Sequence, residues 1–308
     1  MELAEIRPFE PQMAEIDLFT MPDAVGVGEP SARKVKPYIS GHVTDGSSTF
    51  TFTVNGNESV TVPVDANGNW KWVVDRDITS LEKICQNKTN IDSFKIVYSK
   101  DTITSLYMAF QDCAVENIDI TKLNTSKVTN FTYAFNGMQN SDYSFTASLN
   151  TESATDLFEA FLCHGITTNK QKTLDLRNIE TKNVTGNGTF LGISRQVWTN
   201  NNLETLHLGR FAAYSKHSAC TVLVSQAGYP NLANVTAEAI AIDMDFKATA
   251  KLTEQSIVNL FEAVAADGIT LTFHPTVFAM IEQQLAIEDS PIYNAYWNSE
   301  YDFEYTSA

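Results

Sequence analysis

The sequence predicts a β-rich α+β protein, in which a small antiparallel β-domain precedes a repeat solenoid that an α/β cap closes. Three observations lead to this fold class. Polar and apolar residues alternate within 36–99, a similar phrase recurs between 100 and 250, and helical spacing returns within 251–308. Alternation with period 2 is typical of strands, and repeats of twenty-odd residues are typical of stacked modules.

The first segment, residues 1–35, predicts an extended arm. Prolines stand among acidic and scattered apolar residues, with no sustained period of 2 or 3.6. A purely disordered tail has less reason to carry apolar residues such as Ile6 and Phe19. We therefore expect the arm to dock on a partner.

The second segment, 36–99, predicts strands joined by tight turns. Asn55-Gly56 is a strong hairpin signal, and "DANGNW" (65–70) is a second one. "SLEKIC" (80–85) predicts a short helix with Ser80 as its N-cap, and "SFKIVYS" (93–99) returns to strand.

The third segment, 100–250, contains the repeated phrase. It reads "LNTSKVTNFTYAF" at 123–135, "LNTESATDLFEAF" at 149–161 and "IETKNVTGNGTF" at 179–190. Apolar residues at helical spacing end in a phenylalanine in each copy, and we expect these side chains to point inward and stack from copy to copy. These phenylalanines are Phe135, Phe161 and Phe190, and Phe110 ends a similar segment 25 residues before the first of them.

Two further features recur with the phrase. Short strands are predicted between the copies, at 118–120, 144–146, 174–176 and 206–208. One threonine keeps its place in every copy, and we expect its hydroxyl to cap a helix or a turn by accepting from a free backbone amide. These residues are Thr125, Thr151 and Thr181.

The last segment, 251–308, predicts helix, strand and helix at 252–266, 269–273 and 275–289. Thr253 is a cap signal, and Pro275 suits the first position of a helix. The final residues, "YNAYWNSEYDFEYTSA", combine aromatic and acidic side chains, and we expect them to form a tail that lies across a neighbouring surface.

The charge balance disfavours one class of partner. The chain has 37 acidic and 21 basic residues, a net charge of −16, which repels phosphate backbones. No apolar run is long enough for a membrane span, and acids stand where a signal peptide has basic residues, so we expect a protein that folds in the cytosol. Its four cysteines are widely spaced, which favours reduced, buried thiols.

The repeated phrase resembles a known family. "LNTSKVTNFTYAFNGM" is similar to the repeat of BspA-type leucine-rich bacterial surface proteins, with Phe131 and Ala134 where methionine is usual. The resemblance covers roughly residues 100 to 275 and extends to proteins encoded by phages of gut Bacteroidetes, including crAss-like phages. It implies a divergent leucine-rich-repeat solenoid that acts as an interaction scaffold rather than an enzyme.

The sequence gives no catalytic, cofactor-binding or metal site. Asp65, Asn67 and Asn69 stand at the first three oxygen positions of a calcium loop, but Arg76 occupies the twelfth, which favours a hairpin turn. His207 falls on an outward strand position, where it either binds a ligand or is solvated. Aromatic residues that either form a sugar platform or pack in the core are Trp70, Trp72, Tyr133, Tyr143 and Tyr214.

The expected function is therefore that of a virion structural protein: a head fibre, a capsid decoration or a tail-associated fibre. Residues 1–35 would attach it to other virion proteins, and the solenoid would contact proteins or bacterial surface glycan. We expect a homo-oligomer, because fibres multiply weak contacts. The first alternative is a cell-surface adhesin, and the remote one is a carbohydrate-active hydrolase with two carboxylates.

Overall fold

The computed structural model describes residues 35–138, 144–161, 172–184, 202–211 and 229–308. The chain divides into two compact units, Met1–Lys36 and Pro37–Ala308. The predicted arm falls, except for residue 35, outside the described residues. In the second unit one hydrophobic core extends from Ile39 to Phe303. Among the described residues no helix is both long and apolar enough to cross a bilayer.

The predicted fold class, with its leucine-rich-repeat solenoid closed by an α/β cap, is wrong. The described part of the chain is mostly strand with few helices, and its strands form several small sheets, none of them closed or continuous as a solenoid requires. One physical reason lies at the predicted strand 144–146. Ser144–Ser148 is a 3₁₀ helix packed between strands Asn117–Leu123 and Thr173–Leu176, so the row of strands is interrupted there.

The first sheet has four strands in the order β4-β1-β5-β6. Strand β1 lies antiparallel to β4 and β5, and β5 lies parallel to β6. The predicted hairpin at Asn55-Gly56 is confirmed, because both residues have positive φ and join the antiparallel pair β2-β3. The strands are β1 (Tyr38–Val43), β2 (Thr49–Val54), β3 (Glu58–Pro63), β4 (Asn69–Val73), β5 (Ile91–Tyr98) and β6 (Asn117–Leu123).

A second sheet of three parallel strands has the order β7-β8-β9. As predicted, Leu174 and Leu176 are buried and Asp175 between them is more exposed. Strands of this sheet are β7 (Thr173–Leu176), β8 (Thr205–Phe211) and β9 (Asn234–Ile240).

The C-terminal elements match the predicted helix, strand and helix. Thr253 caps the first helix by accepting from Ser256 N–H, and Pro275 begins the second. A third helix and a last strand were missed, although Ser290-Pro291 is a helix-start signal. The expected tail is instead a strand parallel to Ile269–Phe273. The elements are β10 (Met244–Phe246), α1 (Glu254–Glu262), β11 (Ile269–Phe273), α2 (Pro275–Leu285), α3 (Pro291–Trp297) and β12 (Phe303–Ser307).

The ends of the first two copies of the repeated phrase join two earlier segments in a stack of turns. We call this stack the turn ladder: residues 80–87, 105–112, 130–137 and 156–161. Its first copy is the segment predicted as a helix at 80–85, and that prediction is wrong. The fourth residue of each copy has a positive φ of 48° to 56°, which an α-helix cannot accommodate. These residues are Lys83, Met108, Tyr133 and Glu159.

Backbone hydrogen bonds join each copy of the turn ladder to the next. Leu81 N–H donates to Ser105 O at 3.0 Å, and Leu106 N–H donates to Asn130 O at 2.9 Å. Alternate residues repeat the pattern, for example Phe110 N–H to Ala134 O at 2.8 Å. Each copy therefore completes the backbone hydrogen bonding of its neighbour, as adjacent strands of a sheet do.

The phenylalanines of the turn ladder stack beneath the turns, as predicted. The rings of Phe110 and Phe135 lie 5.7 Å apart and nearly parallel, and those of Phe135 and Phe161 lie 5.8 Å apart. All three side chains are fully buried. The fourth predicted member, Phe190, lies outside the described residues.

The recurring threonine has a different role from the one predicted. Thr125 Oγ1 donates to Asn150 O at 2.9 Å and accepts from Asn150 N–H at 2.7 Å. Thr151 makes the same pair of bonds with Glu180. The hydroxyl does satisfy a backbone amide, but that amide belongs to the next copy and not to a helix or turn of its own. The threonine therefore fastens one copy to another.

Replacing the central phenylalanine tests the packing of the turn ladder. We expect Phe135→Ala to lower the free energy of unfolding by about 3 to 5 kcal/mol, because it opens a cavity between two stacked rings. Phe158→Ala is the matched control: this ring is half-exposed and meets Tyr133 edge-on at 5.3 Å. It should cost about 1 kcal/mol. Urea denaturation of the full chain measures both, and equal losses would contradict the packing described.

The positive φ of Lys83 offers a substitution that stabilises the protein. Left-handed backbone disfavours residues with a Cβ, so Lys83→Gly should raise the free energy of unfolding by about 1 kcal/mol. The adjacent Glu82 is not among the residues with positive φ, and Glu82→Gly should lower it by a similar amount. Urea midpoints of the two variants compare them directly, and a loss at both positions would count against the assigned conformation.

Candidate binding cleft

One face of the sheet β4-β1-β5-β6 carries a row of polar side chains. Across the strands, Ser40 pairs with Lys71 on one side and with Lys95 on the other, and Lys95 pairs with Asp119. Directly paired residues point to the same side of a sheet, so these four side chains form a line across it.

A second polar row lies beside the first. His42 pairs with Asn69 and Ser93, and Ser93 pairs with Asn117. The ring of His42 is held at both nitrogens, by Asp92 Oδ1 at 2.9 Å and by Asn67 O at 2.9 Å. It stands within the row, between Asn69 and Ser93, as a fixed group.

The opposite face of this sheet belongs to the core. Trp70 is buried there between Phe50 and Phe94, with ring centroids 4.4 Å and 5.6 Å away. Gly41 pairs with both Trp70 and Phe94. A Cβ at Gly41 would overlap the Ser93 carbonyl oxygen and lie 2.8 Å from Trp70 Cζ2. Glycine therefore lets the indole pack tightly beneath the sheet.

The indole N–H of Trp70 is a buried donor without a hydrogen-bond partner among the described residues. Leaving such a donor unpaired costs about 1 to 3 kcal/mol. Core packing against two aromatic rings accounts for the position of this residue despite that cost.

A cleft of about 780 Å³ lies at this sheet. Its lining includes the whole first row and the second row without His42. The other lining residues are Gly41, Trp70, Phe94, Ile118, the segment 63–65 that leads out of β3, Glu116 and Ser144. That volume is within the range of small-molecule sites, which is roughly 300 to 1,000 Å³. It is the larger of the two cavities described; the other, about 530 Å³, lies between α1 and α3.

Neighbouring side chains hold both lysines of the cleft. Lys95 Nζ lies 2.5 Å from Asp119 Oδ2. This bond, with a second one from the Thr121 hydroxyl, lowers the pKa of Asp119, and the same carboxylate raises the pKa of Lys95. Lys71 Nζ lies over the ring of Tyr38, 4.0 Å from its centre. Both lysines are therefore positioned by neighbours on the sheet.

The predicted turn at 65–70 is confirmed. Asp65 Oδ1 accepts from the backbone N–H groups of Asn67 and Asn69, at 2.8 and 2.9 Å. The hydrogen bond from Asn69 is the main reason that the pKa of Asp65 lies below its ordinary value. The carboxylate thus shapes the turn, and the described residues hold no group of ligands suited to a metal ion.

His207 is on the outward side of β8, as predicted, in register with Asp175 and Thr236. Its Nδ1 lies 2.7 Å from Thr236 Oγ1. A histidine between a hydroxyl and a carboxylate has the composition of a hydrolytic triad. Asp175, however, is bound by the guanidinium of Arg177, which lowers the pKa of Asp175, and it does not orient the imidazole.

The structure separates the aromatic residues that the sequence grouped. Trp70 and Trp72 pack in the core, whereas Tyr133 is half-buried on the turn ladder beside Phe158. Tyr143 and Tyr214 lie outside the described residues. Those of the five that the structure describes therefore form no common platform.

Two of the four cysteines are described, and both are buried thiols, as predicted. Burial, together with the neighbouring Cys113 thiol, raises the pKa of Cys85. The thiolate form that reacts as a nucleophile is therefore disfavoured at Cys85.

Sequence reasoning missed the cleft. The signal was present as the polar members of the alternation, Ser40, Lys71 and Lys95 among them. What the sequence lacked was the register that aligns them across 55 residues of chain. Only the pairing of β1 with two strands shows that these residues are neighbours.

The ion pair in the cleft has a defined pH range. Asp119 has its pKa lowered from 3.8, so its stabilising contribution is present above 3.8 and lost as pH falls through the lowered pKa. Lys95 has its pKa raised from 10.5, so its contribution is present below 10.5 and lost as pH rises through the raised pKa. Both side chains are roughly 40 % exposed, which limits the effect to below about 1 kcal/mol.

Asp119→Asn should therefore lower the urea midpoint slightly at neutral pH, and the difference from the original protein should vanish near pH 2. Asp101→Asn, an exposed residue outside the cleft, is the matched control. A difference that stays constant from neutral pH to about pH 2 would argue against the ion pair as its source.

Comparison with known proteins adds no relative on which to base a role for the cleft. No protein-family model, no curated protein and no solved structure matches the chain.

Proposed function

We propose that the chain is a non-enzymatic structural protein of a phage virion, which presents a binding surface to other molecules. The observation that carries this proposal is the polar cleft built on regular sheet, beside a stack of turns that are hydrogen-bonded to one another. Such a surface is held in one geometry before a partner arrives, which reduces the entropy cost of binding.

The chemistry of the described side chains supports binding over catalysis. The carboxylates with lowered pKa values are held by neighbouring amides, hydroxyls, lysine or arginine, for example Asp119 by Lys95 and Asp175 by Arg177. Catalytic acids and bases more often have pKa values moved toward neutrality. A hydrolase role for the His207–Thr236 pair is weakened further by the bond between Asp175 and Arg177.

The virion setting is proposed from the resemblance of the repeated phrase to proteins of gut phages. The same phrase in bacterial surface proteins keeps the adhesin as the second candidate. In the proposed setting, residues 1–35 attach the protein to capsid or tail components, as a homo-oligomer, and the cleft binds a ligand. The protein would then be made in the host cytoplasm and become part of the particle.

Deleting residues 1–35 tests the attachment. Quantitative mass spectrometry measures the number of copies of the protein per phage particle. The shortened chain should be present in at least tenfold fewer copies than the full chain. A chain with the prolines Pro8, Pro11, Pro22 and Pro30 replaced by alanine retains the segment length and serves as the control.

Fractionation of the source culture distinguishes the two settings. The virion proposal expects the full chain in purified particles. Recovery of the chain in bacterial envelopes, with none in particles, would replace the virion proposal with the adhesin.

A further inference from the structure

We propose that the cleft on the sheet β4-β1-β5-β6 binds an uncharged, hydroxyl-rich ligand, of the size of a short oligosaccharide. The inference rests on the proposed binding function and specifies the chemistry of its ligand. Four features of the cleft carry it: its mixture of donors and acceptors, its charge balance, its dimensions and its fixed floor.

The cleft presents donors and acceptors side by side. Lys71 and Lys95 are donors, Asp119 is an acceptor, and the amides Asn69 and Asn117 are both. The Lys95 ammonium has three N–H groups, so its bond to Asp119 leaves donors for a further partner. A sugar hydroxyl donates and accepts at one atom, and neighbouring hydroxyls match neighbouring donors and acceptors. The lining is thus complementary to a polyol.

The charge of the cleft disfavours ionic ligands. Its lining has two lysines, Lys71 and Lys95, against three carboxylates, Asp65, Glu116 and Asp119, which leaves one negative charge. The chain as a whole has a net charge of −16, so an anionic polymer is repelled at long range. Because Lys95 already neutralises Asp119 at 2.5 Å, a cation gains little there. With anionic and cationic ligands both disfavoured, the cleft suits a neutral ligand.

The dimensions fit a chain of a few linked sugars. The row from Lys71 through Ser40 and Lys95 to Asp119 crosses four strands. With neighbouring strands about 4.8 Å apart, it spans roughly 14 Å. The volume of about 780 Å³ provides room along this row, and the segment 63–65 and Glu116 stand among its lining.

The floor of the cleft is fixed. Its backbone takes part in the pairing of the strands, and the packing of Trp70 against Gly41 leaves no room for a side chain there. The backbone that carries the polar side chains therefore keeps its geometry without a ligand, and binding needs ordering of side chains only.

Isothermal titration calorimetry of the full chain tests the inference. The probes are maltohexaose, cellohexaose, laminarihexaose and mannohexaose as neutral oligosaccharides, with hexagalacturonic acid as the anionic one. We expect at least one neutral probe to bind with a Kd below about 1 mM. Lys95→Met should weaken that binding about tenfold, because it removes charged hydrogen bonds.

A second variant guards against an effect of folding. Ser40→Leu keeps every charge of the cleft but places a bulky side chain in the middle of its polar row, and should abolish binding. Lys127→Met, which removes an exposed lysine outside the cleft, should bind as the original does. Thermal melts of all three variants check that they are folded.

Three outcomes would overturn the inference: no neutral probe binds, the anionic probe binds more tightly, or binding survives in folded Ser40→Leu. Incorporation of the same variants into particles is measured separately. Particles that contain Ser40→Leu but no longer bind the sugar support the cleft inference. Sugar binding by a chain that is absent from purified particles supports the cleft and contradicts only the virion role.

Discussion

The structure depends on backbone hydrogen bonds that each turn makes with the next turn, in addition to the few bonds within each turn. A segment such as 105–112 has backbone N–H and C=O groups that no helix of its own satisfies, because Met108 has a left-handed conformation. Its partners in the neighbouring copies lie 24 residues away in either direction, as in the bonds from Leu81 N–H to Ser105 O and from Leu106 N–H to Asn130 O. The stacked rings of Phe110 and Phe135 become buried only when that pairing has formed, so hydrogen bonding and burial of apolar surface stabilise the same arrangement.

The elements that local residues determine were predicted well. Three such elements are the Asn55-Gly56 hairpin, the Asp65 turn and the helix start at Thr253. Each depends on a few adjacent residues of types that favour that particular turn or cap. The inward position of Phe110, Phe135 and Phe161 could be read from the repeat, because burial follows the pattern of apolar residues whichever backbone conformation carries them.

Features that depend on distant partners were not predicted. The apolar spacing in "SLEKIC" and its later copies suits a helix, but it also suits a turn that buries every third or fourth residue. The positive φ that distinguishes the two, at Lys83, is not indicated by any residue type in the sequence. The resemblance to leucine-rich repeats suggested a continuous row of strands, but the 3₁₀ helix at Ser144–Ser148 interrupts it. The cleft was missed because strand register, not spacing along the chain, brings Lys71 and Lys95 to the two sides of Ser40.

The shared pattern of bonds in the turn ladder has a consequence for how such a chain can change during evolution. Every copy offers the same donors on one edge and the same acceptors on the other, so the edges of non-adjacent copies are also complementary. Loss or duplication of a block of about 25 residues would join edges that already match. The distance between the two ends of the ladder could therefore lengthen or shorten by whole modules, through recombination, while the sheet that carries the cleft keeps its own sequence.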